Sequence, residues 1–251
     1  MAISTPSIEY AKMAKKWELP EALIGGTQSM RDGVTKWLPQ EPNESDEAYQ
    51  VRLNRTFLFN VYKRTIDSLV GIAFSNNVTV EGIPKELEYL EWNINGEGQS
   101  ITELGSKLFH DTLHYGKAHV YPDFPIVDGI ENMTYIRFKE LGVKPYIARV
   151  SPSSVIGWKH NYFNGFADLE HVRILDSYYE EDESFEQVVV NQVRYITKER
   201  IQVWESRGAL AGQQVTNTGI VLPATTSAQG TGGWELVEDR PNDQGQVHLL
   251  C

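Results

Sequence analysis

The apolar residues of this chain follow a helical period up to Gly116 and an extended period after it. Before Gly116, apolar side chains recur every three or four positions, as they do on one face of a helix. After it, segments such as PYIARV and EQVVVNQVRYI alternate in polarity or are rich in β-branched residues, which is typical of strands. A chain whose helices precede its strands predicts an α+β fold, in which an N-terminal helical half is followed by a mostly antiparallel β-rich half.

The longest helical pattern runs from residue 46 to Phe74. Ser45 or Asp46 is expected to cap it, and the acidic side chains of Asp46 and Glu47 complement the positive end of its dipole. Its apolar positions form a broad stripe: Leu53, Phe57, Leu58, Val61, Tyr62, Ile66, Leu69, Val70 and Ala73. Such a broad stripe predicts burial on more than one side of the helix.

Shorter helices are predicted on both sides of this pattern. The segment SIEYAKMAKKWELPEALIGG predicts a helix that is interrupted at Pro20 and closed by Gly25 and Gly26. The segment SITE, at residues 100–103, predicts a capping box that opens a further helix. Gly116 is suited to end that helix, because glycine readily adopts the left-handed conformation of a C-terminal cap.

We divide the chain into three segments on the basis of these patterns. Residues 1–48 form an N-terminal helical segment and polar linker, residues 49–116 a helical portion, and residues 117–251 a β-rich portion. In the β-rich portion, DLEHVRILDSYY and EQVVVNQVRYI are expected to pair as a hairpin. Residues 207–233 are rich in Gly, Thr, Ala and Gln and are expected to form a flexible loop. The ending GQVHLLC resembles a strand cut short, so we expect a chain truncated at its C-terminus, with a natural terminal strand as the alternative.

The charge balance of the chain argues against a nucleic-acid clamp. The 251 residues carry 34 acidic and 23 basic side chains, for a net charge of −11. A protein that grips DNA by its phosphates needs clustered Lys and Arg, which this excess of acids does not provide. DNA can still pass along an acidic wall, because the like charge keeps its phosphates from binding there.

The single cysteine and the lack of long apolar runs indicate a reducing compartment. Cys251 is the only cysteine, so neither an internal disulfide nor a cysteine zinc site is expected. The N-terminal residues lack the apolar core of a signal peptide, and no run of about 18 apolar residues occurs. These features predict a cytoplasmic setting and no membrane-spanning segment.

The motif that most resembles a metal site is HDTLH, at residues 110–114. His110 and His114 lie four positions apart, so on a helix they share one face and could bind one metal ion. A zinc hydrolase of this type needs Glu beside the first histidine, whereas Asp111 is one methylene shorter. No third ligand follows at a suggestive distance, although His119 could approach. Two polar residues at a helix end are the simpler interpretation, and a metal-dependent hydrolase is the alternative.

No other motif indicates catalysis or a cofactor. The segment NGEGQS, at residues 95–100, lacks the third glycine and the preceding strand of a dinucleotide fingerprint, and it lacks the Lys of a phosphate-binding loop. Neither a Gly-x-Ser-x-Gly elbow nor an internal cysteine nucleophile is present. We therefore expect a protein that is not an enzyme and that binds neither a cofactor nor a metal.

Basic and aromatic residues are interspersed in the stretch RLNRTFLFNVYKR, at residues 52–64. Its basic side chains could contact phosphates while its aromatic rings stack on bases. The aromatic residues lie within the apolar stripe, however, and acidic residues flank the helix, so packing inside an assembly explains the stretch better than nucleic-acid or membrane binding. The residues expected to make packing or oligomer contacts are Arg52, Arg55, Phe57, Tyr62, Arg64 and Asp67.

Three segments follow one another in an order that is shared with one protein family. RLNRTFLFNVYKRTIDSLVGIAFSNNVTVEG combines an Arg-rich helix that has a Thr-Phe-Leu core, an Asp-x-Leu-Val-Gly turn and a short extended piece. LEWNINGEGQSITELGSKLFHDTLHYGKAHVYPDFP contains a Gly-rich break, a capped helix and a strand, and KPYIARVSPSSVIGWKH contains a Pro-Tyr strand and a segment that reaches Trp158. In this order the segments resemble the N-terminal region of portal proteins of tailed bacteriophages. The resemblance spans about residues 49–204 and depends on the succession of the segments.

The resemblance implies the α+β, wing-like portion of a ring subunit that is structural rather than enzymatic. Portal proteins form a twelve-subunit ring at one capsid vertex, where the terminase docks, DNA enters and leaves, and the tail attaches. The implied partners are further copies of the chain and terminase, capsid and tail proteins, with DNA passing without sequence-specific contact. The implied location is the virion and, during assembly, the host cytoplasm. The stem helices, clip and crown of the family do not appear in this sequence, and another virion or head–tail adaptor protein is the alternative.

Overall fold

The computed structural model of the chain has an α+β fold, which confirms the predicted fold class. It describes residues 3–124, 141–163, 165–181, 185, 187–208, 214–215, 221–222, 233–242 and 247. The chain divides into a β unit, formed by Met1–Ala14 and His119–Cys251, and a helical unit, Lys15–Ala118. The helical unit spans the segment boundary that we placed at residue 48.

The helices are α1 (Ile8–Asp32), α2 (Asp46–Arg55), α3 (Val61–Ala73) and α4 (Ile101–Tyr115), with short 3₁₀ helices at Val34–Lys36 and Lys85–Glu91. The predicted ends of α4 are confirmed. Ser100 Oγ accepts a hydrogen bond from the Glu103 backbone N–H, and the Glu103 carboxylate accepts one from the Ser100 N–H. Gly116 closes the helix with a φ of 78°, the left-handed conformation that favours glycine.

The predicted interruption of α1 at Pro20 is wrong, because the helix continues through this residue. Trp17 and Ala22, on either side of Pro20, are both buried, and their packing offsets the hydrogen bond that proline cannot make. The predicted break at the glycines is confirmed at Gly26, where φ is 74° and ψ is −153°. Helical turns then resume and reach Asp32.

The prediction of one continuous helix from residue 46 to Phe74 is also wrong. Ser45 caps the start as expected, its Oγ accepting a hydrogen bond from Ala48 N at 3.2 Å. The chain leaves the helix at Thr56, whose φ and ψ of −66° and 134° are extended. It starts a new helix at Asn60, whose side-chain oxygen accepts from Lys63 N at 2.9 Å.

Residues distant in the sequence stabilise the extended chain between α2 and α3, within the helical unit. Arg31 donates to the carbonyl of Thr56 at 2.7 Å, and the hydroxyl of Thr27 accepts a hydrogen bond from Leu58 N at 3.1 Å. The extended segment turns Phe57 and Phe59 outward, and they are 75% and 73% exposed. The two rings therefore lie outside the buried stripe that the helical period predicted.

The strands are β1 (His119–Asp123), β2 (Tyr146–Val150), β3 (Val155–Phe163), β4 (Phe166–Glu181), β5 (Gln187–Thr197), β6 (Arg200–Arg207), β7 (Gln214–Val215), β8 (Val221–Leu222) and β9 (Glu235–Pro241). The order β3-β4-β5-β6-β9 forms a five-stranded antiparallel sheet, and β1 pairs with β2 and β7 with β8. The predicted hairpin is the β4–β5 pair. β3 to β6 lie side by side in chain order, as is usual for antiparallel strands joined by short connections, and β9 adds to β6 after a longer one.

The apolar core of the β unit lies between the β1–β2 pair and one face of the five-stranded sheet. Its buried members come from both: Tyr121, Val155, Val172, Ile174, Ile196 and Ile201. Each fully buried Val or Ile side chain contributes about 1.5–3 kcal/mol through removal of its apolar surface from water. The alternation of strand residues then assigns Arg173, between Val172 and Ile174, to the opposite face.

The opposite face of the sheet binds the N-terminal residues of the chain. The Arg173 guanidinium donates to the carbonyls of Ile3 and Thr5 at 2.9 and 2.7 Å. The N–H of Ser7 donates to the carbonyl of Ile156 on β3 at 2.8 Å. A half-buried arginine on a strand thus anchors backbone that lies 170 and 168 positions earlier in the sequence.

Two sequence predictions fall largely on residues outside the described ones. Most of the predicted flexible loop, residues 207–233, lies outside them, and its described part includes the β7–β8 pair. The predicted terminal strand at residues 245–251 lies outside them apart from Val247, which packs against the core of the β unit.

Candidate functional site

The helical unit brings polar and aromatic side chains together at the C-terminal end of α4. The packing of α3 on α4 positions this group. At this contact Ile66 is buried and the Phe74 ring lies over Gly105. A methyl group at position 105 would lie 2.9 Å from the Phe74 ring, so a glycine here permits the close approach. The rings of Phe74 and Phe109 lie 6.0 Å apart.

Tyr62 on α3 and His114 on α4 form the central polar contact of this group. The Tyr62 hydroxyl oxygen lies 3.1 Å from Nδ1 of His114, and His114 is 8% exposed. The pKa of His114 is lowered to about 4, mainly by burial and also by the nearby charge of His110, while Asp111 opposes both effects. The imidazole is therefore neutral at pH 7, and its Nδ1 and the Tyr62 hydroxyl share one hydrogen bond, whose direction follows the tautomer of the ring.

Glu21 on α1 and Tyr115 on α4 form a second polar contact in the same unit. The pKa of Glu21 is raised to about 7, mainly by burial and also by the charge of Glu18, while the hydrogen bond with Tyr115 opposes both effects. Trp17 also meets Tyr115, since its indole N–H donates to the Tyr115 carbonyl at 3.1 Å and the two rings pack edge to face. The last turn of α4 is thus joined to both α1 and α3.

The structure places His110 and His114 one helical turn apart, as the sequence predicts, with ring centroids separated by 6.1 Å. Nδ1 of His114 already takes part in the contact with Tyr62. His119, the third ligand that we considered, belongs to the β unit. Within the described part of the chain, no three His, Cys, Asp or Glu side chains are grouped so as to hold a metal ion.

α2 buries one side and exposes the other. Tyr49 and Leu53, four residues apart, are buried. Arg52 forms an ion pair with Glu44 at 2.7 Å and donates to the carbonyl of Pro39 at 2.8 Å, so it ties the preceding linker to the helix. The hydrogen bond that the Arg52 guanidinium donates to the Glu44 carboxylate lowers the pKa of Glu44.

The six residues predicted to make packing or oligomer contacts lie in two kinds of environment. Two of them make contacts within the helical unit, Arg52 with Glu44 and Tyr62 with His114. The other four are exposed to solvent: Arg55, Phe57, Arg64 and Asp67. Arg64 and Asp67 line one polar surface depression on α3.

α3 carries a second apolar stripe beside the one that packs on α4. At about 100° per residue, Val61, Leu69 and Ile72 cluster on one side of the helix, roughly a quarter turn from Tyr62 and Ile66. All three residues of this outer stripe are exposed, Ile72 to 73%. We call Val61, Leu69 and Ile72 the outer stripe of α3.

None of the helices in the described ranges combines the length and the apolar character needed to cross a lipid bilayer. A comparison of the sequence with models of protein families and with curated proteins finds no match. The resemblance to portal proteins therefore depends on the residues and the order of the segments given above.

Sequence reasoning missed Glu21, Tyr115 and Trp17 as members of the polar group. Each lies in a helical pattern that is equally compatible with a solvated face or with ordinary packing. Their proximity arises because α1 and α4 meet in space, and no motif spacing reports that contact. HDTLH drew attention to His114 but for metal chemistry rather than for its contact with Tyr62.

Proposed function

We propose that this chain belongs to a structural subunit of a bacteriophage portal ring, the assembly at a capsid vertex through which DNA is packaged and ejected. The proposal starts from the ordered resemblance of residues 49–204 to portal proteins. Its partners are further copies of the chain and terminase, capsid and tail proteins. Its location is the virion and, during assembly, the host cytoplasm, and its role is not enzymatic.

The observation that carries the proposal is the outer stripe of α3. Val61, Leu69 and Ile72 lie within the segment that most resembles portal proteins, and all three are exposed. Apolar surface of this kind, arranged along one helix face, is typical of a contact with another protein surface. A ring supplies that contact by repetition, since each subunit then covers the same stripe of its neighbour.

The charge of the chain also supports a conduit rather than a clamp. Acidic side chains exceed basic ones by 11 over the whole sequence. DNA phosphates are repelled by a surface of like charge, so a strand can move past it without stable contacts. A portal needs this property because DNA passes through it in both directions.

Electron microscopy of the protein made from its complete reading frame tests the proposal. Negative-stain images are expected to show rings with a central channel. In the variant Ile72→Asp, a carboxylate on the outer stripe must be desolvated at the contact, so the ring fraction is expected to fall at least tenfold. The matched control is Lys63→Gln, which changes the charge by the same amount on another side of α3 and should leave the rings intact.

Two outcomes would contradict the proposal. One is that the wild-type protein and the Lys63→Gln variant are both folded but remain monodisperse monomers. The other is a purified protein that contains stoichiometric zinc by elemental analysis and hydrolyses a substrate, because this would favour the hydrolase alternative at His110 and His114.

A further inference from the structure

The outer face of α2 carries opposite charges on either side of an exposed apolar residue. Glu47, Val51 and Arg55 are four residues apart, so they lie along one side of the helix. Val51 is 51% exposed. Neither Glu47 nor Arg55 forms an ion pair with any residue that the structure describes.

We infer that α2 pairs in antiparallel orientation with α2 of a second copy of this chain, about a two-fold axis at Val51. Glu47 and Arg55 each lie four residues from Val51, which is about 6 Å along the helix axis. An antiparallel pair centred on Val51 therefore sets Glu47 of each copy opposite Arg55 of the other. A parallel pair would set like charges against each other, so the charges select the antiparallel arrangement.

Phe57 extends this contact at both ends. It lies two residues beyond the end of α2 and is 75% exposed. A surface depression of about 730 Å³ runs along α2, with Ala48, Val51 and Phe57 among its lining residues. In the antiparallel pair, Phe57 of one copy reaches Ser45 at the N-terminal end of the other α2.

The size and symmetry of the contact determine how it behaves. A ten-residue helix covers less than the roughly 800 Å² per partner that stable complexes bury, so the association is weak and favoured by high local concentration. The contact is two-fold, with the same surface on both copies, whereas a ring uses two different surfaces. It therefore does not depend on the proposed portal function.

Disulfide trapping at position 51 tests the inference in any state of assembly. In a Cys251→Ser background, Val51→Cys places two thiols at the two-fold axis, and oxidised glutathione should link them into a covalent dimer on a non-reducing gel. Identical residues of neighbouring ring subunits lie apart, so a ring alone does not give this product. The matched control is Glu86→Cys, an exposed site on the 3₁₀ helix Lys85–Glu91, which should give at least tenfold less dimer.

Charge exchange tests the orientation with the same readout. In the Val51→Cys protein, adding Glu47→Arg or Arg55→Glu alone should reduce the yield of the disulfide-linked dimer at least tenfold, because each sets like charges together at both ends. A mixture of the two variants, one carrying a mass tag, should restore the mixed dimer, since all facing charges are then opposite. Circular dichroism confirms that the variants are folded.

The outcomes separate this inference from the portal proposal. A disulfide-linked dimer of the Val51→Cys protein without rings supports the α2 pair and contradicts the ring. Rings without the disulfide-linked dimer support the portal proposal and contradict the α2 pair. Equal yields with and without the single charge substitutions, or no mixed dimer from the mixture, would overturn the antiparallel pair.

Discussion

The hydroxyl oxygen of Tyr62 lies 3.1 Å from Nδ1 of His114, and this contact joins α3 to the last turn of α4. The two residues are separated by 52 positions in the sequence. His114 is buried, so its ring nitrogen depends on a hydrogen-bond partner in the protein rather than on water.

We expect Tyr62→Phe to destabilise the helical unit by about 1–3 kcal/mol, because it removes the hydrogen-bond partner of a buried ring nitrogen and leaves that nitrogen unsatisfied. Amide hydrogen exchange of α4 measures this loss locally. The matched control is Tyr162→Phe, at an exposed position of β3, which should change exchange by less than about 0.5 kcal/mol. Equal effects of the two substitutions would show that the contact with His114 contributes nothing.

Burial shifts the pKa of Glu21 and of His114 in opposite directions. The pKa of Glu21 rises to about 7, so its contribution to stability is complete below pH 4.5 and is lost as the pH rises through 7. The pKa of His114 falls to about 4, so its contribution is complete above pH 6.5 and is lost as the pH falls through 4. Between pH 4.5 and 6.5 the two effects oppose each other and largely cancel.

We expect Glu21→Gln to remove the pH-dependent contribution of Glu21 to stability and to leave that of His114. Relative to the unchanged protein, the free energy of unfolding of the variant should rise with pH between 4.5 and 7, by at most about 1.4 kcal/mol per unit. Glu21 is partly exposed, and solvent screening makes the observed slope smaller than this limit. Urea titrations at four pH values measure the slope, and a difference that falls with pH would contradict the shift of Glu21.

The substitution His114→Gln should give the opposite slope. Relative to the unchanged protein, the variant should lose stability as the pH rises from 4 to 6.5, by up to about 1.4 kcal/mol per unit, and stay constant above 6.5. The same urea titrations provide the measurement. A variant that follows the unchanged protein at every pH would mean that His114 titrates normally.

Gly157 lies beside Arg173 on the neighbouring strand, and a methyl group there would be 2.5 Å from Nη2 of the guanidinium. We expect Gly157→Ala to displace this group from the carbonyls of Ile3 and Thr5, at a cost of about 1–3 kcal/mol. Faster hydrogen exchange and proteolysis of residues 3–7 would report the release. The control is Gly71→Ala on α3, where no atom is within 4 Å and the better helix former should stabilise by up to about 1 kcal/mol.

The elements that could be predicted from the sequence are those with local causes. The capping box at residues 100–103 and the left-handed Gly116 bound α4 because the groups that form each cap are neighbours in the chain. The β4–β5 hairpin follows for the same reason, since its two arms are adjacent in sequence.

The elements that could not be predicted have distant causes. The apolar period continues across residues 56–60, but Arg31 and Thr27 supply hydrogen bonds that favour an extended chain there. Pro20 stays helical because Trp17 and Ala22 are buried on either side of it. Tertiary packing overrides local preference in both cases.

The same distinction applies to the candidate site. The helical spacing of His110 and His114 could be seen in the sequence, and it suggested a shared metal ion. The partner that the structure gives to His114 is Tyr62, on another helix. Burial and partner choice, which set the pKa of an imidazole, are properties of the assembled helices and have no signature in the spacing of residues.

The anchoring of Ile3 and Thr5 by Arg173 has a consequence for synthesis of the protein on the ribosome. Ile3 and Thr5 must wait until β4 has been translated, 170 and 168 positions later, before their carbonyls can accept these hydrogen bonds. Strands β3 to β6, by contrast, can add to one another in the order in which they emerge. Residues 3–5 are therefore exposed to proteases and chaperones until β4 has emerged and can bind them.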